Sequence, residues 1–269
     1  MKIKPVQMKD YISINRDSWN KRTEVHFDSE FYDNKTFIEG RNSLNDIELQ
    51  YLDNIKGKSV LHLQCHFGQD TISMSRMGSS RTVGIDLSDL AVEKARVLAT
   101  TCGTNTEFIC CNVYDLPNHL NEQFDIVFTS YGTIGWLPDI NKWAALVNQY
   151  LKPSGQFVFA EFHPALWMMD EDFKAIKYRY FNSEAIVDEE GTYTDGAESI
   201  TTKNVSWNHG MAEVINALLK QGLTLKDIQE FDYSPYDCFA HTVEVEEGKY
   251  RIKHLDNRLP MVYSLFMEK

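Results

Sequence analysis

The chain has 269 residues, which is enough to bury a sizeable core as one large domain or as one domain with an insertion. Its hydrophobic fraction of 43% and its charged fraction of 25% are ordinary for a soluble globular protein. The net charge of −12 disfavours a polyanion such as DNA or RNA as the main partner.

The cysteines and the N-terminus bear on the compartment. The cysteines are odd in number and lack C-x-x-C spacing, so we expect reduced thiols and no metal site. The N-terminus has no apolar signal region, and no apolar run approaches the length of a membrane span. These features predict a cytoplasmic protein.

The N-terminal segment is polar and aromatic, without an alternating strand pattern. Its spacing predicts helices over residues 8–19 and 45–55, and apolar residues of the second fall on one face that would pack on a sheet. Tyr11 and Trp19 combine stacking surface with hydrogen-bonding groups. They dock a surface helix or face a ligand, and the sequence leaves both readings open.

A strand, a glycine turn and a helix follow at residues 59–76. The apolar run at 60–63 is typical of a central parallel strand, and Gly68 supplies a point where the backbone can bend sharply or approach a ligand. Asp86 ends the next strand-like run. In doubly wound sheets, an acid at about this distance along the chain from the first strand accepts hydrogen bonds from ribose hydroxyls.

Strand and helix patterns alternate through residue 162, which predicts right-handed crossovers and a parallel sheet. The third strand leads into Asn112 and Val113. The fourth leads into Ser130, Tyr131 and a loop rich in glycine and aromatic residues, which suits a loop that lies close to ligands.

The fifth predicted strand covers residues 156–162, and the alternating pattern ends after it. Strand-like runs at 177–181 and 201–207, separated by acidic and glycine-containing turns, predict an antiparallel insertion over the mouth of the site. A helix over 211–219 and two strands over 223–232 and 261–267 complete the chain.

These motifs, in this order, resemble the nucleotide-binding half of class I S-adenosylmethionine-dependent methyltransferases. The first motif of that family reads roughly Asp-Leu-Gly-Cys-Gly-x-Gly, and here residues 62–68 read His-Leu-Gln-Cys-His-Phe-Gly. His62, Gln64 and His66 depart from the family pattern. The resemblance covers about half of the chain because the later motifs follow in the family's order.

The resemblance implies an α/β fold: a doubly wound, mostly parallel, seven-stranded Rossmann-like sheet whose last strand inserts antiparallel between its neighbours. It also implies a division into an N-terminal helical lid (1–56), a cofactor-binding core (57–163), an inserted cap (164–208) and the remainder of the core (209–269).

The implied cofactor is S-adenosyl-L-methionine. Asp86 would hold the ribose, Asn112 and Val113 the adenine, and the 64–68 loop the methionine portion. The side chains of Gln64 and His66 either point away from the ligand or hydrogen-bond to it, and the second reading is favoured for His66. The expected cofactor-binding residues are Tyr11, Trp19, Gln64, Cys65, His66, Gly68, Asp86, Leu87, Asn112, Val113, Ser130 and Tyr131.

The implied activity is transfer of a methyl group to a small-molecule acceptor by in-line displacement. An acceptor that is protonated at neutral pH would need a general base, for which His163, just past the fifth strand, is the first candidate. The other candidates are Glu161, His209, Asp237 and His241. The residues that would line an aromatic acceptor pocket, or alternatively form the core of the cap, are Phe162, Trp167, Trp207, Tyr233, Tyr236 and Phe239.

Two other functions stay open. The altered first motif also fits a non-catalytic protein that binds S-adenosylmethionine. A nicotinamide-dependent oxidoreductase is disfavoured because the chain lacks G-x-G-x-x-G, which lets the backbone approach a pyrophosphate. The acceptor atom, the need for a general base and the oligomeric state are not specified by these patterns.

Overall fold

A computed structural model describes residues 10–181, 184–195 and 200–269. Its helices are α1 (Tyr11–Phe27), α2 (Asn34–Glu39), α3 (Asp46–Leu49), α4 (Gln69–Arg76), α5 (Asp89–Thr101), α6 (Ile140–Tyr150) and α7 (Met211–Lys220). Its strands are β1 (Ser59–Leu63), β2 (Arg81–Asp86), β3 (Glu107–Cys110), β4 (Phe124–Ser130), β5 (Leu151–Phe162), β6 (Ile186–Glu190), β7 (Thr202–Ser206), β8 (Thr224–Phe231), β9 (Thr242–Glu246), β10 (Lys249–Ile252) and β11 (Val262–Glu268).

Seven of these strands form one sheet in the order β3-β2-β1-β4-β5-β11-β8. The first five pair in parallel, and β11 runs antiparallel between β5 and β8. This arrangement confirms the predicted doubly wound, mostly parallel sheet and its inserted last strand. The order reverses on either side of β1, so the carboxyl ends of β1 and β4 flank the crevice where such sheets bind ligands.

Helices cover both faces of the sheet, which explains the apolar run in β1. Every residue of β1 is buried. Val60 packs on one face with Met74 of α4, whereas Leu61 packs on the other with Trp143 of α6. Because successive side chains of a strand point to opposite faces, a strand with helices on both sides needs apolar residues without alternation.

The turn between β1 and α4 requires glycine at position 68. Gly68 has a φ of +81°, and a Cβ atom added there would lie 2.4 Å from the ring of Phe108 on β3. Left-handed backbone and close packing against a neighbouring strand therefore exclude any larger residue without local rearrangement. This contact seats the start of α4 against the sheet.

The N-terminal segment is more helical at its start and less helical at its end than the spacing predicted. The part of the first predicted helix at residues 8–9 lies outside the described residues, but α1 continues to Phe27 and α2 follows. The second predicted helix is only the single turn α3, continued by further turns. Its apolar side chains nevertheless pack as expected, since Ile47, Leu52 and Ile55 are buried.

The cap contains an antiparallel pair, but one predicted strand was wrong. The run at 177–181 forms no strand; instead the backbone amides of Lys177 and Tyr178 bond to the carbonyl of Met168. The partner of β7 is β6, whose acidic residues face solvent and so mimic a turn in the sequence. A second hairpin, β9–β10, was not predicted.

The helices of the described ranges are all too short or too polar to cross a membrane.

Candidate active site

A cavity of about 930 Å³ opens at the carboxyl ends of the parallel strands. The loops after β1, β2, β3 and β4 form its floor, and α1 and the cap contribute to its lining. All the residues that the sequence predicted to bind the cofactor line this one cavity, including Tyr11 and Trp19 of α1. The predicted catalytic residue His163 does not line it.

The loop after β1 keeps a glycine-type backbone without the glycines. Gln64 and His66 have φ values of 59° and 52°, in the left-handed region that favours glycine. Such a conformation costs an L-residue about 1–2 kcal/mol, and strain of this kind clusters at functional sites. The loop therefore keeps, at two positions, the left-handed backbone that glycine favours, while placing two side chains at the cavity.

Neighbouring segments hold both side chains in place. The Gln64 amide nitrogen donates to the carbonyl of Thr133 at 2.8 Å, which leaves the buried Oε1 atom without a partner. His66 Nε2 shares a hydrogen bond of 3.0 Å with His26 Nδ1 on α1, and the buried Nδ1 atom of His66 has no partner among the described residues. Burial lowers the pKa of His26 to about 3 and also lowers that of His66, so both rings are neutral at pH 7.

Asp86 stands at the end of β2 with both carboxylate oxygens at backbone amides. One oxygen accepts from the His66 amide and the other from the Ser88 amide, each at 2.8 Å. Burial raises the pKa of Asp86 to about 6, against the lowering effect of these bonds. Each oxygen retains a further lone pair, so the carboxylate can still accept hydrogen bonds from a ligand.

Asn112 precedes a short 3-10 turn, Val113–Asn118, at the end of β3. Its side-chain oxygen accepts from the Tyr114 amide at 3.1 Å, which fixes the side chain at the turn. Like Asp86, the oxygen keeps a second acceptor position. Asp86 and Asn112 thus face the same cavity from adjacent strand ends.

Helix α1 and the cap form one continuous cover. Trp19 packs edge-to-face on Trp136 and Tyr11 on Trp207, with ring centroids 5.4 Å and 5.2 Å apart. The buried side-chain amide of Asn15 forms two hydrogen bonds with the backbone of Val205 in β7. It donates to the carbonyl at 2.8 Å and accepts from the backbone amide at 2.9 Å.

Glu161 has a structural role at the end of β5. Its carboxylate accepts from the backbone amides of Gly132, Thr133, Ile134 and Phe162, and from the Thr133 hydroxyl. Burial raises its pKa against these bonds. The side chain therefore fixes the loop after β4 and has little capacity left to act as a general base.

His163 does not line the cavity, and the catalytic role predicted for it stays a prediction. Its Nε2 atom is 3.0 Å from Glu230 of β8, and its Nδ1 atom accepts from the Ala165 amide at 3.1 Å. Its backbone amide bonds to Met261, just before β11. The chain after β5 thus turns toward the outer strands, while the cavity lies toward β1 and β4.

The other base candidates divide into two groups. His209 lines the cavity, with Nε2 at 2.7 Å from the carbonyl of Leu137 and Nδ1 at 3.4 Å from Glu213. Asp237 and His241 do not line it, and His241 pairs with Asp172. The aromatic residues suggested for the pocket all line the cavity except Tyr233.

Sequence reasoning missed several lining residues. The loop after α1 contributes Phe31 and Tyr32, the cap contributes Tyr193, and Asp70 lies in the first turn of α4. The sequence could have indicated Asp70, because it stands two residues beyond the turn glycine. The three aromatic residues had none, because packing between distant loops positions them.

Comparison with known proteins identifies the domain. A family model described as a methyltransferase domain matches residues 60–155. A ubiquinone biosynthesis O-methyltransferase of Pseudomonas fluorescens is 25% identical over 210 residues, which cover 76% of this chain and 82% of that protein. A protein of the same name from Neisseria meningitidis is 30% identical over 121 residues, 44% of this chain and 50% of the relative. The chain thus spans about half the length of some curated relatives it matches.

Solved structures share the fold. An S-adenosylmethionine-dependent methyltransferase from Mesorhizobium loti superposes with a TM-score of 0.58 at 22% identity, covering 86% of this chain and 100% of that one. Geranyl diphosphate C-methyltransferase from Streptomyces coelicolor gives a TM-score of 0.61 at 12% identity, covering 98% and 99% of the two chains. Residues 60–155 thus match a methyltransferase domain, and the chain shares the fold of solved S-adenosylmethionine-dependent methyltransferases.

Proposed function

We propose that the protein transfers the methyl group of S-adenosylmethionine to a small molecule enclosed in the cavity. The observation that carries this proposal is the convergence of all the expected cofactor-binding residues on one cavity at the carboxyl edge of the sheet. Its volume, about 930 Å³, is near the upper end of the range of about 300–1,000 Å³ for small-molecule sites. That leaves room for a cofactor and an acceptor together.

The residues present fit the cofactor. Asp86 can accept from the ribose hydroxyls, and Asn112 can accept from the adenine amino group. Beside them, the unpartnered Gln64 Oε1 and His66 Nδ1 atoms suit the polar methionine portion, because a buried polar atom without a partner costs about 1–3 kcal/mol. Side chains would thereby take over contacts near the glycine positions of the family motif.

The chain's own contribution is alignment and exclusion of water. A bound S-adenosylmethionine supplies an electrophilic methyl group on its sulfonium. Positioning an acceptor in line with such a group can contribute roughly 7–11 kcal/mol. Tyr11 and Trp19 in the cover would keep water from the reacting atoms. We assign no general base, although His209 is the cavity-lining imidazole among the original base candidates.

The acceptor we propose is small and partly apolar. Aromatic residues dominate the cap side of the cavity, for example Trp136, Phe162, Trp207 and Phe239. The net charge of −12 argues against a nucleic acid acceptor. The curated relatives are named as O-methyltransferases, which makes a hydroxyl acceptor one candidate. A cytoplasmic location is part of the same proposal.

We also propose a division of labour along the chain. The segment 1–56, described from residue 10, would act as the lid, and residues 164–208 as the cap. Residues 57–163 and 209–269 would form the core that holds the cofactor. The bonds between Asn15 and Val205 support a lid and cap that move together.

Equilibrium dialysis followed by an acceptor screen tests this function. We expect adenosylhomocysteine to bind and NAD not to bind; the reverse result would favour the oxidoreductase alternative. In the screen, release of adenosylhomocysteine with a small-molecule acceptor would support the transferase. Binding of the cofactor without release across hydroxyl, amine, thiol and carbon acceptors would favour a non-catalytic binding protein.

A further inference from the structure

Five aromatic rings that line the cavity pack against one another, and we call this cluster the aromatic box. The ring centroid of Phe31 lies 5.1 Å from that of Tyr32, 5.4 Å from that of Tyr193 and 5.9 Å from that of Tyr236. Tyr131 lies 5.1 Å from Tyr236. The box joins the loop after α1, the cap, and the loops after β4 and β8, and all five rings line the cavity.

The hydroxyl groups of the box are bonded to protein. Tyr32 and Tyr193 share a hydrogen bond of 2.6 Å between their hydroxyls. The Tyr131 hydroxyl donates to Glu48 at 2.6 Å, and the Tyr236 hydroxyl accepts from Asn45 at 2.8 Å. With these partners made, the box offers ring surface to a ligand, and ring faces attract cations.

Asp70 supplies a carboxylate to the same cavity. Its electrostatic influence reaches Tyr32, Tyr131 and Tyr236, which places it beside the box. Within the part of the chain that the structure describes, its side chain accepts from two hydroxyls, those of Ser43 at 2.6 Å and Ser130 at 3.2 Å. Burial raises the pKa of Asp70, as expected for a carboxylate that lacks an ion pair.

Among the described residues no lysine or arginine forms an ion pair with Asp70, although the charge of Arg41 partly offsets the rise in its pKa that burial causes. Within the described parts of the chain, Arg22 and Arg41 are the only arginine or lysine residues that line the cavity. Arg22 pairs with Glu190 at 2.9 Å. Arg41 donates hydrogen bonds to backbone carbonyls and to a threonine hydroxyl, including one to the carbonyl of Tyr32 at 2.7 Å. A partly buried carboxylate that faces the cavity without an ion pair can pair with a cationic ligand.

We propose that the aromatic box and Asp70 together bind an alkylammonium group. The inference rests on the proposed function, because it assigns a ligand group to the same cavity. Two sources share this chemistry: the α-ammonium of the cofactor's amino-acid end, and the ammonium of an amine acceptor. Several aromatic rings and one carboxylate suit a cation and oppose an anion in either case.

Calorimetry with adenosylhomocysteine and 5′-methylthioadenosine distinguishes the first source. The second compound has the nucleoside and the thioether but no amino-acid end. If Asp70 holds the cofactor ammonium, Asp70→Asn will weaken adenosylhomocysteine binding at least about tenfold and leave methylthioadenosine binding unchanged. The control Glu247→Gln removes an exposed carboxylate that does not line the cavity and should change neither.

Phenethylamine and its uncharged analogue 2-phenylethanol test the second source, with adenosylhomocysteine present. Preferential binding of the amine that Asp70→Asn abolishes supports an amine acceptor. If Asp70→Asn changes neither adenosylhomocysteine nor amine binding, the inference is overturned. If the wild-type protein binds no adenosylhomocysteine, it is the proposed function that fails, and phenethylamine alone then tests the box.

A tyrosine pair keeps the test decisive if Asp70→Asn does not fold. Tyr236→Phe retains the ring and loses only the hydroxyl bonded to Asn45, so ammonium binding should persist. Tyr236→Leu removes the ring and should weaken binding of adenosylhomocysteine or of the amine, according to the source. Equal affinities in these two variants would contradict a role for the box.

Discussion

Asp86 combines two backbone hydrogen bonds with a position at the cavity, and so its removal tests the ribose assignment directly. Asp86→Ala should weaken adenosylhomocysteine binding by about 1.5–3 kcal/mol, the usual contribution of hydrogen bonds to a charged group. Calorimetry gives this value. Asp53→Ala, at an exposed position outside the cavity, is the matched control. Unchanged affinity in Asp86→Ala would refute the assignment.

The charge of Asp86 also predicts a pH dependence. Its pKa is raised from 3.8 to about 6, so adenosylhomocysteine affinity should fall as the pH drops below about 6 and the carboxylate is protonated. Folding stability responds with the opposite sign. Because the unfolded chain releases this proton at lower pH, the Asp86 contribution to stability decreases as the pH rises from about 4 to about 6.

Calorimetry from about pH 8 to about pH 5 checks this expectation. The Asp86→Ala variant is the reference, because its affinity should lack the component of the pH dependence that Asp86 causes. A wild-type profile that coincides in shape with that of the variant would assign the titration to other groups.

At the scale of single elements, the turn into α4 depends on both its backbone and its packing. Gly68→Ala adds a Cβ atom that would meet Phe108, and it also places alanine at a positive φ. We expect a loss of about 2–4 kcal/mol in the free energy of unfolding, from overpacking and left-handed strain together. Urea denaturation measures it.

Gly103 provides the control for this substitution. It also has a positive φ, +67°, but no atom lies within 4 Å of an added Cβ. Gly103→Ala should therefore show only the backbone strain, about 1–2 kcal/mol. Equal losses in the two variants would show that contact with Phe108 contributes nothing.

Differences between individual strands explain why some elements were predictable from the sequence and others were not. Strands β1 to β4 read correctly because each is an apolar run closed by a turn residue in a sheet with helices on both faces. The fifth strand was predicted only from residue 156, whereas β5 begins at Leu151. Strand β6 was missed although its partner β7 was predicted, since residues 188–190 are acidic and exposed and their pairing depends on β7. Strand-like residues at 177–181 lacked such a partner.

For the whole molecule, the floor and the cover of the site differ in how the sequence encodes them. Each floor residue, such as Asp86 or Asn112, follows a strand of a parallel sheet, and so topology alone brings them together. The cover joins α1 and the cap, which are far apart in sequence. Their contacts depend on single side chains such as Asn15, and no local sequence pattern predicts such contacts.

This construction predicts how ligand binding affects exchange of amide hydrogens. If ligand can leave only when the cover opens, adenosylhomocysteine at about 100 times its Kd should slow exchange limited by that opening about 100-fold. The protected amides should include those of α1 and β7. The hairpin β9–β10 should keep its exchange rates, because none of its residues line the cavity.

Asn15→Ala tests whether the cover acts as one unit. Loss of its amide leaves the carbonyl and amide of Val205 without their partner, so β7 should exchange faster and adenosylhomocysteine should dissociate faster. Ser13→Ala, on an exposed part of the same helix, should change neither rate. Because two hydrogen bonds connect helix and hairpin here, faster exchange confined to α1 would mean that lid and cap open separately, contrary to a single cover.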